Sequence, residues 1–143
     1  MRTPKLVTAT LAVLLATPSF ASEVNVYSAR EDKLISPLLE RFTETTGIQV
    51  NLITGKADAL LARIQAEGAA TPADVFVTVD AGNLHRAKEA GVLAPVTSNV
   101  LSNAIPENLR DIDNQWFGLT VRSRPIFYVK DRVNPAELST YEA

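Results

Sequence analysis

Arg30, Glu31 and Asp32 stand consecutively after Val24-Asn25-Val26-Tyr27, whose alternation predicts a strand. The two carboxylates open a stretch that reads as a helix. Open α/β sheets bind ligands outside the carboxyl ends of their strands, so this position is a candidate site. A guanidinium beside helix-terminal amides makes an anion site, and Arg30 is placed to supply it. Ser28-x-x-Glu31 also reads as a capping box, in which acidic residues favour the helix start. Tyr27 shares a face with Asn25 and reads as a wall residue or a contact of the site. Further along, Arg122 and Arg124 share one side of an alternating segment.

Other chemistries are excluded or unsupported. There is no cysteine, so a disulfide framework, a thiolate zinc site and a cysteine nucleophile are ruled out. The single histidine, His85, excludes any two-histidine metal motif within the chain and reads as a solvated helix residue. Gly55-Lys56 lacks the remainder of a phosphate loop. Ser28-Ala29-Arg30-Glu31 has no paired base for nucleophilic catalysis. The formal net charge is -2, so no global basic field invites nucleic acid.

The elements that position these residues follow a repeating cycle. Residues 32–46 carry Leu34, Ile35, Leu38, Leu39 and Phe42 on one helical face, with Pro37 as a flaw and Gly47 as a stop. Residues 48–53 predict a second strand, 57–67 a second helix, 74–79 a third strand and 81–90 a third helix closed by Gly91. The third strand has few polar residues and is expected to be central. Each strand-to-helix cycle takes roughly 25 residues, the rhythm of a parallel sheet. The rhythm then breaks. Residues 92–95 read as a short extended piece and 100–109 as irregular or weakly helical around Pro106. Residues 116–121 and 125–129 read as strands separated by Arg122-Ser123-Arg124.

The two ends carry their own signals. Arg2 and Lys5 precede an apolar run over 6–16, and Ser19-Phe20-Ala21 gives the small-x-small pattern of an export signal. The run is about half the ~20 apolar residues a spanning helix needs. Cleavage after Ala21 and export to a bacterial-type periplasm or the exterior are expected. At the other end, Ser139-x-x-Glu142 is a capping box one residue before the last, which predicts a helix continuing in a longer protein.

Several stretches together resemble the ferric-iron-binding periplasmic proteins of bacterial ABC importers. They include Val26-Tyr27-Ser28-Ala29-Arg30, Thr46-Gly47-Ile48-Gln49-Val50-Asn51, Gly55-Lys56-Ala57-Asp58-Ala59-Leu60 and Thr78-Val79-Asp80-Ala81-Gly82. Trp116-Phe117-Gly118-Leu119 and Pro135-Ala136-Glu137-Leu138 extend it over essentially all of 23–142. The resemblance implies an α/β fold of the periplasmic-binding-protein type II kind, a parallel-rich sheet flanked by helices. It implies a signal peptide at 1–21, an incomplete first lobe at 22–121, and at 122–143 a crossover strand with the start of a truncated second lobe.

The resemblance also implies a chemistry. Ferric iron is small, highly charged and hard, and prefers anionic oxygen donors. A trivalent cation displaces the proton from a phenol of pKa about 10, so binding releases protons and weakens in acid. The family's principal tyrosine ligands correspond to positions beyond residue 143. Related proteins place a histidine, or a His-Tyr pair, where this chain has Glu31 and Asp32. The implied metal contacts are therefore Glu31 and Asp32, and Tyr27 is a further candidate only because it ends the first strand and could point into the cleft. Arg30 and Arg124 are implied beside a synergistic anion such as carbonate. Tyr27, Tyr128 and Tyr141 match none of the family's principal ligand tyrosines. The implied partner is an ABC-importer permease in the inner membrane, with the binding protein a monomer and not an enzyme. The alternatives are capture of another small oxyanion, such as phosphate, sulfate or phosphonate, and an exported enzyme domain.

Overall fold

The structure is a computed structural model that describes residues 22–123 and 125–138. It divides into two compact units, one ending at Val79 and one starting at Asp80. The export-signal expectation for 1–21, Arg124, and the capping box at Ser139 with Tyr141 lie outside the described residues.

The first unit is a three-stranded parallel sheet with two helices. Strand β1 (Glu23–Ser28) is central, paired with β2 (Gln49–Thr54) and β3 (Val75–Val77), in the order β2-β1-β3. Asn25 faces Asn51 across one pair, and Tyr27 faces Phe76 across the other. Helix α1 (Asp32–Thr46) connects β1 to β2, and α2 (Ala57–Glu67) leads from β2 toward β3. The two connections run in opposite directions along the sheet. Right-handed crossovers therefore place α1 and α2 on opposite faces. Burial agrees: Val26 and Tyr27 are neighbours with opposite side-chain directions, yet both are buried.

The expectation of a central third strand is corrected. β3 covers three residues and lies at an edge of the described sheet, with Val75 exposed. The strand covered on both faces is β1, although its sequence alternates. The polar partner of that alternation, Asn25, is satisfied within the sheet. Its side-chain amide and backbone N–H both donate to Asp74, and its side-chain Oδ1 accepts from Asn51 at 3.1 Å.

Helix α1 forms where its apolar spacing predicts. Ile35 is its one buried residue, while Leu34, Leu38 and Phe42 are exposed in this structure. Pro37 sits in the second turn, opposite the carbonyl of Lys33. Lys33 is solvent-exposed, so the missing backbone donor is tolerated there. Gly47 ends the helix at φ 73°, with its N–H donating to the Thr43 carbonyl at 2.8 Å. On α2, Leu60 and Ile64 are buried as their spacing predicts. Burying each of Val26, Ile35, Leu60 and Ile64 contributes about 1.5–3 kcal/mol.

The second unit begins with α3 (Ala81–Glu89) and α4 (Asn99–Ala104). Short 3-10 turns follow at Glu107–Leu109 and Pro135–Glu137. Its buried apolar residues are Ala87 and Ile105. The strands expected at 116–121 and 125–129 do not form among the described residues. One antiparallel bridge, Arg110 with Phe117, is the pairing found in that region. Alternation makes a segment suited to a sheet, but only a neighbouring strand makes it one. Leu119, Val121 and Phe127 accordingly remain exposed.

Candidate functional site

The switch point lies beside the carboxyl end of β1: its own connection runs to β2 on one side, while β3 on the other side is reached from β2. The loop at 28–32 occupies this switch point and is tied down on both sides. The Ala29 N–H donates to the Val77 carbonyl at 2.7 Å, and the Gly55 N–H donates to the Ser28 carbonyl at 3.1 Å. Ser28 itself is fully buried. Its hydroxyl accepts from the Arg30 N–H at 3.2 Å, which folds the chain into a tight turn.

That turn corrects the capping-box reading of Ser28-x-x-Glu31. The helix starts later, with Glu31 at the N-cap position and no side-chain cap bond. The Glu31 carbonyl oxygen accepts from Leu34 and Ile35, while its carboxylate points away to Lys33 at 2.8 Å. Both partners of that ion pair are exposed, so it is easily exchanged for another cation. Asp32 accepts a hydrogen bond from the Ser36 hydroxyl at 2.7 Å and is also exposed. Arg30 is half-buried beside them. The loop thus presents two solvent-accessible carboxylates and one guanidinium at the switch point.

Tyr27 immediately precedes this loop in the chain. It is fully buried, and its hydroxyl donates to the two carboxylate oxygens of Glu67 at 3.0 and 3.2 Å. The guanidinium of Arg63 lies 4.9 Å from the ring centre, a cation–π distance. Glu67 is held in turn by Arg63 at 2.6 Å and by the Thr71 hydroxyl at 2.7 Å. Burial and the bond to Glu67 push the Tyr27 phenol above its ordinary value, with Arg63 opposing. Arg63 and Thr71 hold the Glu67 carboxyl below its ordinary value against the effect of burial.

The remaining candidates are dispersed. Arg122 and His85 are exposed, and Tyr128 is 45% exposed. Among the described residues no group of three or more His, Cys, Asp or Glu side chains could enclose a metal ion. Two shallow grooves exist, neither of which includes the 28–32 loop. One of about 440 Å³ runs between α1 and β2, lined by Leu39, Glu40 and Val50. The other, about 330 Å³, is mainly apolar and lined by Leu101, Ile105, Leu109 and Leu119. Sequence reasoning did not single out Glu67, Arg63 or Thr71. The four-residue spacing of Arg63 and Glu67 on a helix was the available signal.

The bacterial extracellular solute-binding protein family matches residues 27–142. Iron uptake protein A1 of Synechocystis is 51% identical over 131 residues, covering 92% of this chain and 36% of the relative. The Fe(3+)-binding periplasmic protein of Serratia marcescens is 32% identical over 114 residues, covering 80% of this chain and 32% of the relative. A Trichodesmium structure described as IdiA or FutA in complex with iron and citrate ligands superposes with a TM-score of 0.78. It is 53% identical and covers 85% of this chain and 38% of that one. The chain thus spans about a third of the length of the curated relatives it matches. The helix-flanked parallel sheet is part of the type II periplasmic-binding-protein fold. The chain belongs to the bacterial extracellular solute-binding protein family.

Proposed function

We propose that this chain contributes the first lobe of a periplasmic ferric-iron capture protein that delivers its cargo to an ABC-type importer. The observation that carries the reading is its 53% identity, at a TM-score of 0.78, to a protein solved with iron and citrate. Export by cleavage after Ala21 belongs to the same reading, with 22–121 as the first lobe and 122–143 as the crossing toward a second. The protein captures and releases without chemical turnover, acts as a monomer, and meets a permease rather than nucleic acid.

Glu31 and Asp32 supply hard, anionic oxygens to ferric iron at the switch point. Arg30, and Arg124 from the crossing, hold the accompanying anion, carbonate or a carboxylate such as citrate. Two carboxylates do not fill the coordination sphere of a trivalent ion, so the anion and groups outside the described residues complete it. Tyr27 contacts iron only if it exchanges Glu67 for the metal. Its phenol is buried and engaged, so the role favoured here is support of the loop that follows it.

The test is retention of ferric citrate by the 143-residue chain, read by metal analysis after gel filtration against excess citrate. Retention without an intense visible phenolate band is expected. Replacing Arg30 and Glu31 by glutamine should reduce it several-fold, with the melting temperature little changed. Retention that ignores both substitutions removes the loop from the site. Tight binding of iron-free phosphate, sulfate or phosphonate, with no ferric retention, transfers the function to an oxyanion. An intense band lost in Tyr27→Phe makes Tyr27 a ligand.

A further inference from the structure

We infer that Tyr27, Glu67 and Arg63 form a positioning device that sets the 28–32 loop, and so controls the ligand affinity of a site the three residues do not themselves line. The inference rests on the ferric reading for the identity of the ligand. Its geometric part stands independently.

The chain of contacts is short. Tyr27 is the next-to-last residue of β1, and the loop begins where that strand ends. Its ring is fully buried, and its hydroxyl reaches the carboxylate at the end of α2, 40 residues away in sequence. Glu67 cannot move freely to follow it. Arg63 bonds to one of its oxygens from one turn earlier, and Thr71 bonds to the other from beyond the helix end. Arg63 also stacks over the Tyr27 ring, so one guanidinium restrains both members of the pair.

Within the loop, the buried Ser28 hydroxyl ties only to the adjacent Arg30 N–H, and the charged side chains have no anchor to the sheet. Glu31 makes no cap bond, its ion pair with Lys33 is exposed, and Asp32 bonds only to Ser36 within its own helix. What ties the loop to the sheet is backbone: Ala29 to Val77, and Gly55 to Ser28. Both bonds lie within two residues of Tyr27. Freeing the Tyr27 side chain should therefore be felt first at these two amides and next at Arg30, Glu31 and Asp32.

A contribution to overall stability would behave differently. It would speed opening of the whole unit, including amides on β2 and in the middle of α2. A positioning role loosens the loop while those distant amides keep their protection.

The experiment compares the 143-residue chain with Tyr27→Phe and Glu67→Ala, using amide hydrogen exchange and ferric citrate retention. Tyr27→Phe keeps the ring in place and removes only the hydroxyl, which protects against simple misfolding. Expected is about 10-fold faster exchange at Ala29, Arg30 and Gly55 in both variants, with Leu52 and Ile64 unchanged. Ferric citrate retention should fall several-fold in parallel. Unchanged exchange at the loop amides overturns the proposal whatever the iron result. Uniform acceleration across the unit overturns it in favour of a purely structural role. Local loosening with undiminished retention breaks the link to the ligand and overturns it. If the parent chain retains no ferric citrate, the ferric reading fails, and local loosening then supports only the geometric part.

Discussion

Lys88 of α3 places its ammonium 2.8 Å from Oδ1 of Asp111, although 23 residues separate them, and reaches Asp113 at 2.7 Å. Asp111 is 8% exposed and also accepts the backbone N–H groups of Asp113 and Gln115. One buried carboxylate thereby organises the turn that leads to Trp116 and joins it to the helix.

The pair has a defined pH dependence. Burial alone pushes the Asp111 carboxyl up, but Lys88 and the Gln115 and Asp113 amides outweigh it and leave the carboxyl below its ordinary value. A carboxyl depressed in the folded state adds stability above its unfolded value, and that stability is lost as pH falls through the folded value. The bonds to Asp111 and Asp113 raise Lys88 against the effect of burial, so its contribution is lost only as pH rises through that raised value. Lys88→Ala should melt several degrees lower at neutral pH. The gap should shrink below about pH 4, where carboxyls protonate. A gap that does not change with pH in thermal melts would mean the stabilisation does not come from the charge pair.

Tyr27 should ionise above the ordinary phenol range. The chain has three tyrosines, and burial together with Glu67 raises this phenol above the ordinary value. A raised folded value means its contribution to stability is complete below about pH 10 and disappears as pH rises through the folded value. Absorbance titration of Tyr27→Phe should lack a phenolate step that the parent chain shows above the ordinary phenol range. Loss of a step at the ordinary value instead would show that the phenol is not buried against Glu67.

Gly118 is required by a close backbone approach. A Cβ there would lie 2.8 Å from the Leu109 carbonyl oxygen, the same atom that accepts the Gly118 N–H at 2.7 Å. Backbone, unlike a side-chain tip, cannot swing aside. Gly118→Ala should destabilise the second unit by about 1–3 kcal/mol, visible in urea unfolding as a lower midpoint at constant slope.

Asp80 has φ 88° and ψ 128°, a conformation that L side chains rarely adopt, and caps α3 by accepting the Gly82 N–H at 2.8 Å. Strain of this kind costs about 1–3 kcal/mol, and exchanging an aspartate cap for glycine costs only a few tenths. Asp80→Gly should therefore leave stability unchanged or raise it. Asp80→Ala keeps the strain and loses the cap, at a cost of about 1 kcal/mol. Equal melting temperatures for the two variants would contradict this division.

Local elements were legible in the chain because their causes are local. The 3.6-residue spacing of Leu60 and Ile64 defined α2, Gly47 closed α1, and alternation defined β1 and β2. The motifs around Val26–Arg30 and Gly55–Leu60 were also sufficient to reach the solute-binding family and its expected fold. Other features depend on distant partners. Which strand is central depends on pairing order, so the apolar run of β3 misled while alternating β1 took the middle. The segment at 116–121 has strand chemistry but only one bridge, because a strand exists only beside another. The partners of Tyr27 and Lys88 lie 40 and 23 residues away, and no spacing rule reaches that far. Side-chain type and period settled the elements and the position of the candidate loop. Only the packed tertiary structure decided which charged groups meet, because burial and pairing belong to the folded chain and not to any residue alone.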